Sequence, residues 1–216
     1  MPDRDDFLRE LHHRVKNNFQ IIASLMNLQK RMLPPERRGD LRFVEEHVQS
    51  MAVAYRIVST STELVQVPIE ELISEVCDSL RQIAGARADG LRYDLSQAGA
   101  EIELNQGIVL GLFLAVVLPP HLDRVAEHGG VVSVRTAVAD GELTLAITGD
   151  NAEPVTMDYM RKRLVDSYVR QLRAEVSRMP DLGEYRLRFA LEPPRVSFPR
   201  RGAGKVSGGT VQTAAH

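Results

Sequence analysis

Two adjacent histidines, His12 and His13, stand inside the run "LRELHHRVKNNFQIIASLMNLQ" (Leu8–Gln29), and Arg14, Lys16, Asn17 and Asn18 follow directly. Imidazole has three common chemical uses. A metal site needs converging ligands, and no second histidine or carboxylate pair at metal-ligand spacing faces the same way. A general base ordinarily sits in a pocket. A phosphoryl acceptor must instead be exposed, neutral near physiological pH and reachable by a whole protein, and imidazole, which titrates near pH ~6.5, meets that need. Glu10, one turn earlier, is placed to hold the ring tautomer. Arg14 and Lys16 offer positive charge to an incoming phosphoryl group.

The element that positions these residues is a helix. Leu8, Leu11, Val15, Ile22 and Leu25 recur at three- and four-residue steps, with Phe19 and Met26 widening the stripe, so a helix is expected from about Asp6 to Leu33. At about 100° per residue, with Leu11 at zero, the apolar face centres near 40° and His13 falls near 200°. Lys16, Gln20 and Asn17 fall near 140°, 180° and 240°, on the same polar face, while His12, near 100°, borders the stripe. Asn17 and Asn18 are poor helix-interior residues that add no packing, so this face breaks a local rule. Such breaks concentrate at functional sites.

"LPPERRGD" (Leu33–Asp40) interrupts the pattern, and a second helix is expected from about Leu41 to Ser61 with Val44, Val48, Met51, Ala52, Tyr55 and Val58 facing inward. The two make an antiparallel hairpin. Its stripe is too broad for one partner helix, which implies a homodimer whose two hairpins form a four-helix bundle. Beyond it the pattern turns α+β. A helix is expected over about Ile69–Ala84 and short strands at Leu91–Leu95 and Glu101–Leu104. "QGIVLGLFLAVVL" reads as a buried helix stopped by Pro119–Pro120. A hairpin of two strands turns at "ADG" (Ala139–Gly141), a helix of about 22 residues starts near Met157, and "EYRLRFAL" is a last strand. The expected division is a hairpin over 1–66, an α/β sandwich over 67–198 and a mobile tail over 199–216.

Composition narrows the function classes. Hydrophobic residues make up 44% and charged residues 26%, ordinary for a globular protein. The net charge of −2 and the absence of tryptophan argue against a nucleic-acid or anionic-membrane partner. No apolar run approaches the roughly 18 residues of a membrane span, and the acidic start "MPDRDDFLRE" has no signal-peptide core, so a cytoplasmic setting is expected. The lone Cys77 forms no internal disulfide and reads as a core residue; Asp150 reads as a turn former, and His47, His121 and His128 as surface or structural.

"HHRVKNNFQIIASLMNLQ" (His12–Gln29) resembles the dimerisation and phosphotransfer segment of bacterial two-component histidine kinases whose first helix carries HHRVKNN. The resemblance implies that His13, directly before "RVKN", is the phosphorylated histidine and that an ATP-binding α/β domain follows. In that family the asparagine helix carries Glu and Asn for catalysis and magnesium. Here Ala115, Val116 and Pro120 occupy the positions of Asn, Glu and Asn, and none of them coordinates magnesium or accepts a proton. The second half therefore resembles a degenerate ATP-binding domain, with Asp150 a remnant of its aspartate loop, no glycine-rich phosphate segment and no cofactor of its own.

The leading expectation is a histidine phosphotransferase that shuttles phosphoryl between receiver-domain aspartates through His13 and cannot phosphorylate itself from ATP. Its partners would be response-regulator receivers, which supply the magnesium, with an upstream receiver or hybrid kinase as donor. Lys16, Asn17 and Gln20, with Phe7 and Arg9 above, would form the docking surface. No sensor segment precedes the hairpin, so input is expected from another protein. The alternatives are an active histidine kinase with an atypical ATP site and a non-catalytic protein that sequesters a response regulator.

Overall fold

The computed structural model describes residues 4–60, 66–97, 99–150, 155–179 and 184–192. The tail from Pro199 lies outside them, as do the side chains of Phe7, Arg9 and His12. Helix α1 spans Arg4–Met32 and α2 spans Arg42–Thr60. Between them a 3₁₀ turn, Pro35–Leu41, begins with a proline whose missing N–H leaves no donor unpaired at a helix start. The helices lie antiparallel: Phe19 stacks on Tyr55 with ring centroids 5.5 Å apart, and Lys30 Nζ meets Glu45 Oε2 at 2.6 Å near the turn.

The single broad stripe expected on α1 divides in two. Val15, Phe19 and Met26 are half-buried, whereas Leu11, Ile22 and Leu25 remain 45%, 41% and 59% exposed. Ile21, Leu28 and Met32 join this second, open stripe. One neighbouring helix covers only part of a cylinder, so a face this wide keeps an uncovered flank. The inward side of α2 also differs from expectation. Val44 is exposed, and the buried positions are Glu45, Glu46, Ser50, Val53, Ala54 and Ile57. These face the second half of the chain, and the sequence pattern of the hairpin alone does not register that layer.

The second half begins with β1 (Gln66–Pro68), α3 (Ile69–Ala84), β2 (Leu91–Gln97), β3 (Glu101–Glu103) and α4 (Leu104–His128). It continues with β4 (Val132–Ala139), β5 (Glu142–Gly149), α5 (Tyr159–Leu172), β6 (Glu175–Met179) and β7 (Glu184–Ala190). The main sheet has the order β2-β4-β5-β7-β6, and β1 with β3 forms a separate two-stranded ladder. Strand β2 runs parallel to β4 because α4 supplies the crossover between them, and the other main-sheet pairs are antiparallel. The architecture is thus α+β with a mixed sheet.

Asp140 and Gly141 turn the β4–β5 hairpin with φ of 52° and 75°, the two positive values a type I′ turn requires. Val134 opposite Ile147, and Ile147 opposite Tyr185, are buried and carry one apolar face across the sheet. Helix α4 fills the middle of the core. It is long and apolar enough to cross a membrane by composition, but 67% of its most apolar window is buried inside the fold. Its first turn is capped by Glu103, whose Oε2 accepts from the backbone N–H groups of Asn105 at 2.7 Å and Gln106 at 3.2 Å.

Two expectations about helix length are corrected. Helix α4 does not stop at Pro119–Pro120 but continues through both prolines to His128. A proline removes one N–H, and the cost of about 3 kcal/mol is offset where surrounding packing holds the helix and another donor reaches the freed carbonyl. Here Arg161 Nη1 donates to Val116 O, the partner Pro120 cannot serve, at 2.9 Å. The helix expected to run for about 22 residues is two elements. Helix α5 ends at Leu172, Arg173 turns the chain with φ 51°, and Glu175–Met179 pairs antiparallel with β7. No glycine or proline announces that turn, since an arginine occupies the left-handed position.

Left-handed backbone costs a non-glycine residue about 1 kcal/mol. Arg173→Gly is therefore expected to stabilise the protein by about 0.5–1 kcal/mol and Arg173→Val to destabilise it by at least as much, measured by urea unfolding.

Candidate functional site

His13 is exposed on α1, on neither the α2-facing side nor the open apolar stripe. Its neighbours sort differently from the sequence reading. Glu10 Oε1 accepts from Arg14 Nε at 2.7 Å across one helical turn, with both side chains largely exposed. That hydrogen bond, and then the Arg14 charge, hold the Glu10 carboxyl below its ordinary range, with His13 contributing least. Glu10 is thus engaged by Arg14 rather than by the His13 ring. Asn17 is exposed.

Lys16 and Gln20 point into a polar cleft of about 490 Å³ between α1, α2 and α3. Its other walls include Ser24, Gln49, Arg56, Glu75, Asp78 and Gln82, and Arg56 pairs with Glu75 across it. The cleft opens one turn below His13 on the same side of α1. Sequence reasoning missed the α3 wall because those carboxylates reach α1 only through tertiary packing. Phe7 and Arg9 lie outside the described side chains.

The positions aligned with the kinase asparagine helix all lie on α4. Ala115 and Val116 are fully buried and Pro120 is half-buried. Beside them sits a cluster of charges that the sequence did not announce. Arg161 Nη2 stands 3.6 Å from Glu46 Oε2, its Nε stands 3.6 Å from Asp158 Oδ2, and its guanidinium lies 4.9 Å from the Phe43 ring centroid. Arg42 Nε stands 3.7 Å from Glu46 Oε1, and Arg42 Nη2 reaches Asp123 Oδ2 at 3.1 Å. Arg87 also pairs with Asp123. One signal was available: Glu46 occupies an inward position of α2, where an unpaired carboxylate would be costly.

This cluster is far from His13. The pairings Phe19–Tyr55 and Lys30–Glu45 put Glu46 level with the last two turns of α1. His13 lies about 16 residues away along that helix, roughly 24 Å of helical rise.

The remaining candidates are structural. Asp150 Oδ1 accepts from Val131 N at 2.7 Å and closes the end of the β4–β5 hairpin. His121 is buried, with Nδ1 2.8 Å from Val117 O, and burial pushes its pKa down. His47 makes the same bond to Phe43 O at 2.7 Å, and burial likewise lowers its pKa. Cys77 is fully buried and its thiol is pushed up to about 12, which leaves it inert. Among the described residues no three His, Cys, Asp or Glu side chains converge as a metal site.

Residues 10–84 match the histidine kinase family model HisKA_2. The sensor histidine kinase PdtaS of Mycobacterium tuberculosis is 35% identical over 82 residues, 38% of this chain and 16% of that protein. Its Mycolicibacterium smegmatis counterpart is 32% identical over the same shares. The chain thus matches about one sixth of the length of these relatives. Among solved structures, the blue-light activated histidine kinase of Erythrobacter litoralis aligns with TM-score 0.59 and 18% identity over 88% of this chain and 64% of that one. Its isolated kinase domain aligns with TM-score 0.56 and 17% identity over 88% of this chain and 95% of that one. Residues 10–84 are thus similar to histidine kinases, and the fold of the chain is that of a histidine kinase domain.

Glu46 gives this region a pH dependence. Burial pushes its pKa up to about 7, and the guanidinium groups of Arg161 and Arg42, both beyond hydrogen-bond distance, do not bring it back down. The nearby Asp123 charge adds to the rise. A carboxyl whose folded pKa exceeds its unfolded value stabilises the fold at low pH, and that contribution is lost as pH rises toward 7. His47 and His121, with lowered values, act in the opposite sense and lose their contribution as pH falls below about 6.5. The clean measurement is a difference between two proteins. Glu46→Gln is expected to match the parent near pH 4.5 and to exceed it by about 1–3 kcal/mol at pH 8, read by chemical denaturation at both pH values. A variant less stable than the parent at pH 8 would mean that the ion pairs dominate instead.

Proposed function

We propose that this protein is a histidine phosphotransferase of a two-component phosphorelay. The imidazole of His13 attacks the phosphorus of a receiver aspartyl phosphate. A P–N bond forms, the P–O bond to the carboxylate breaks, the carboxylate leaves with the electron pair, and the imidazole proton passes to water. The reverse step returns the phosphoryl group to the aspartate of a second receiver. Both steps ask little of the histidine side beyond exposure, because the receiver supplies the carboxylates and the magnesium. Lys16, Asn17 and Gln20 border the acceptor on its docking side, with Phe7 and Arg9 on the turn above. Arg14, drawn to Glu10, orders the turn rather than meeting the phosphoryl group.

The observation that carries this reading is chemical. His13 stands open on α1, while Ala115, Val116 and Pro120 on α4, at the positions where the resemblance puts the nucleotide and magnesium groups, are apolar and buried or half-buried. A kinase needs both sites to be equipped. A relay protein needs only the first. The protein is accordingly expected to bind no nucleotide and to carry no metal of its own.

The test uses purified protein and labelled phosphate. Incubation with labelled ATP and magnesium alone is expected to leave His13 unlabelled. A phosphorylated cognate receiver is expected to label it within minutes, and His13→Gln to abolish that label. Robust labelling from ATP alone would establish an active kinase, and unchanged phosphate flow through His13→Gln would leave a sequestering protein as the better reading.

The open stripe of Leu11, Ile21, Ile22, Leu25, Leu28 and Met32 supports a homodimer built by a second hairpin. The double substitution Leu25→Glu, Leu28→Glu is expected to halve the mass seen by light scattering at micromolar concentration while the far-ultraviolet circular dichroism stays unchanged.

A further inference from the structure

We propose that the receiver seats in the cleft between α1, α2 and α3, so that polar residues of α2 and α3 select the partner together with those of α1. This rests on the phosphotransferase reading and names the rest of its docking surface.

Three helices each turn one side into the cleft. Lys16, Gln20 and Ser24 of α1 recur at four-residue steps. Gln49, Ala52, Val53 and Arg56 of α2 follow the i, i+3, i+4, i+7 spacing of a single helical side. Glu75, Asp78, Ser79 and Gln82 of α3 repeat that spacing. The opposite side of α3, with Leu72, Ile73, Val76 and Leu80, is buried in the core. The core therefore fixes where the polar side of α3 stands.

The α1 wall leads straight up to the acceptor. Lys16 is three residues from His13 and Gln20 seven, about 4.5 Å and about 10 Å of helical rise. Both lie within about 60° of the His13 direction around the helix. Even a small partner domain of about 100 residues has a radius of gyration of about 13 Å. A receiver that brings its aspartyl phosphate to His13 therefore extends over the mouth of the cleft.

The chemistry of the cleft says what fits there. Asp78 is already engaged: its Oδ1 accepts from Arg81 Nη1 at 2.6 Å and from Tyr93 OH at 3.0 Å. Arg56 and Glu75 pair with each other across the cleft. The Lys16 ammonium and the amides of Gln20, Gln49 and Gln82 make no side-chain hydrogen bond or ion pair with any described residue. One unpaired cation and three unpaired amides, beside carboxylates already matched by arginines, complement an acidic segment rich in hydrogen-bonding groups. A receiver presents such a segment beside its phosphorylated aspartate, where the carboxylates that hold its magnesium cluster. Lys16 and Gln20 thus meet it from α1, Gln49 from α2 and Gln82 from α3.

The test uses the receiver domain that labels His13 fastest in a screen of the receivers of the same genome. Labelling by phosphoramidate, a donor too small to need docking, runs in parallel and reads the imidazole itself. Gln82→Glu changes an exposed side chain. It is expected to lower the ratio of receiver to phosphoramidate labelling rates at low salt by about fivefold to tenfold, through KM. Gln82→Lys is expected to raise that ratio, and Gln49→Glu to repeat the Gln82→Glu result from the α2 side. In hydrogen exchange of the full chain, the unphosphorylated receiver is expected to slow exchange over residues 75–82 as well as 13–24. A ratio unchanged in Gln82→Glu, or moved the same way by both charges, would overturn the role of α3 and leave the phosphotransferase reading standing. Slower exchange over 75–82 that appears with rising protein concentration and no receiver would assign the cleft to a second copy of this chain and overturn the proposal. A parent protein labelled by phosphoramidate but by no receiver would remove the phosphotransferase reading itself.

Discussion

A single constraint organises this molecule: a 25-residue helix, α4, that is apolar almost all the way round. Leu114 through Leu118 are each fully buried, so no side of that segment is left for water. A helix of this kind must be covered on every flank. The sheet takes one side and α3 and α5 take others, as in any two-layer α+β fold. The remaining side falls to α2. The hairpin is thus drawn into the core of the second half, and Val53, Ala54 and Ile57 share one hydrophobic cluster with the sheet. Everything that follows about the candidate site depends on that capture.

The capture divides the surface of the hairpin into three regions with different chemistry. One side of each helix faces the other. A second side of α2 is sealed against α4 and α5, with buried charges at its base. The outer side of α1 stays open and carries an apolar stripe, with the His13 face beside it. Phosphoryl chemistry belongs on such an open, polar face, because a partner protein must approach it with its own metal and carboxylates. A nucleotide-driven mechanism asks for the opposite, a water-lined pocket that meets the histidine. The segment Leu114–Leu118 of α4 is fully buried and carries no polar side chain.

Much of the fold was legible from local pattern. The α1–α2 hairpin, α3 and the β4–β5 hairpin with its Asp140–Gly141 turn all follow from periodicity and turn chemistry read over a few residues. The exposure of His13 was legible too, because a 100° step is a property of the helix itself. Two misreadings share a cause, a partner distant in sequence. Helix α4 runs on through Pro119–Pro120 because a donor 45 residues away replaces the missing one. Helix α5 stops at an arginine in a left-handed conformation, and the residues after it become a strand because β7 stands ready to pair with them. Glu10 was assigned to His13 although Arg14 on the next turn is the stronger partner.

What the sequence by itself determined is therefore the local and the periodic: which segments are helix or strand, which face of α1 is polar, and that Ala115, Val116 and Pro120 carry no group able to hold a metal. What only the tertiary structure decided is how those pieces meet. It divided the α1 stripe into a covered and an open half, brought Glu75 and Asp78 of α3 to the cleft below His13, and tied α2 to α4 and α5 through Arg161. The reason is physical. A helical face is set by bonds within one turn, whereas a buried guanidinium takes its partners from three elements whose proximity exists only after the core has closed.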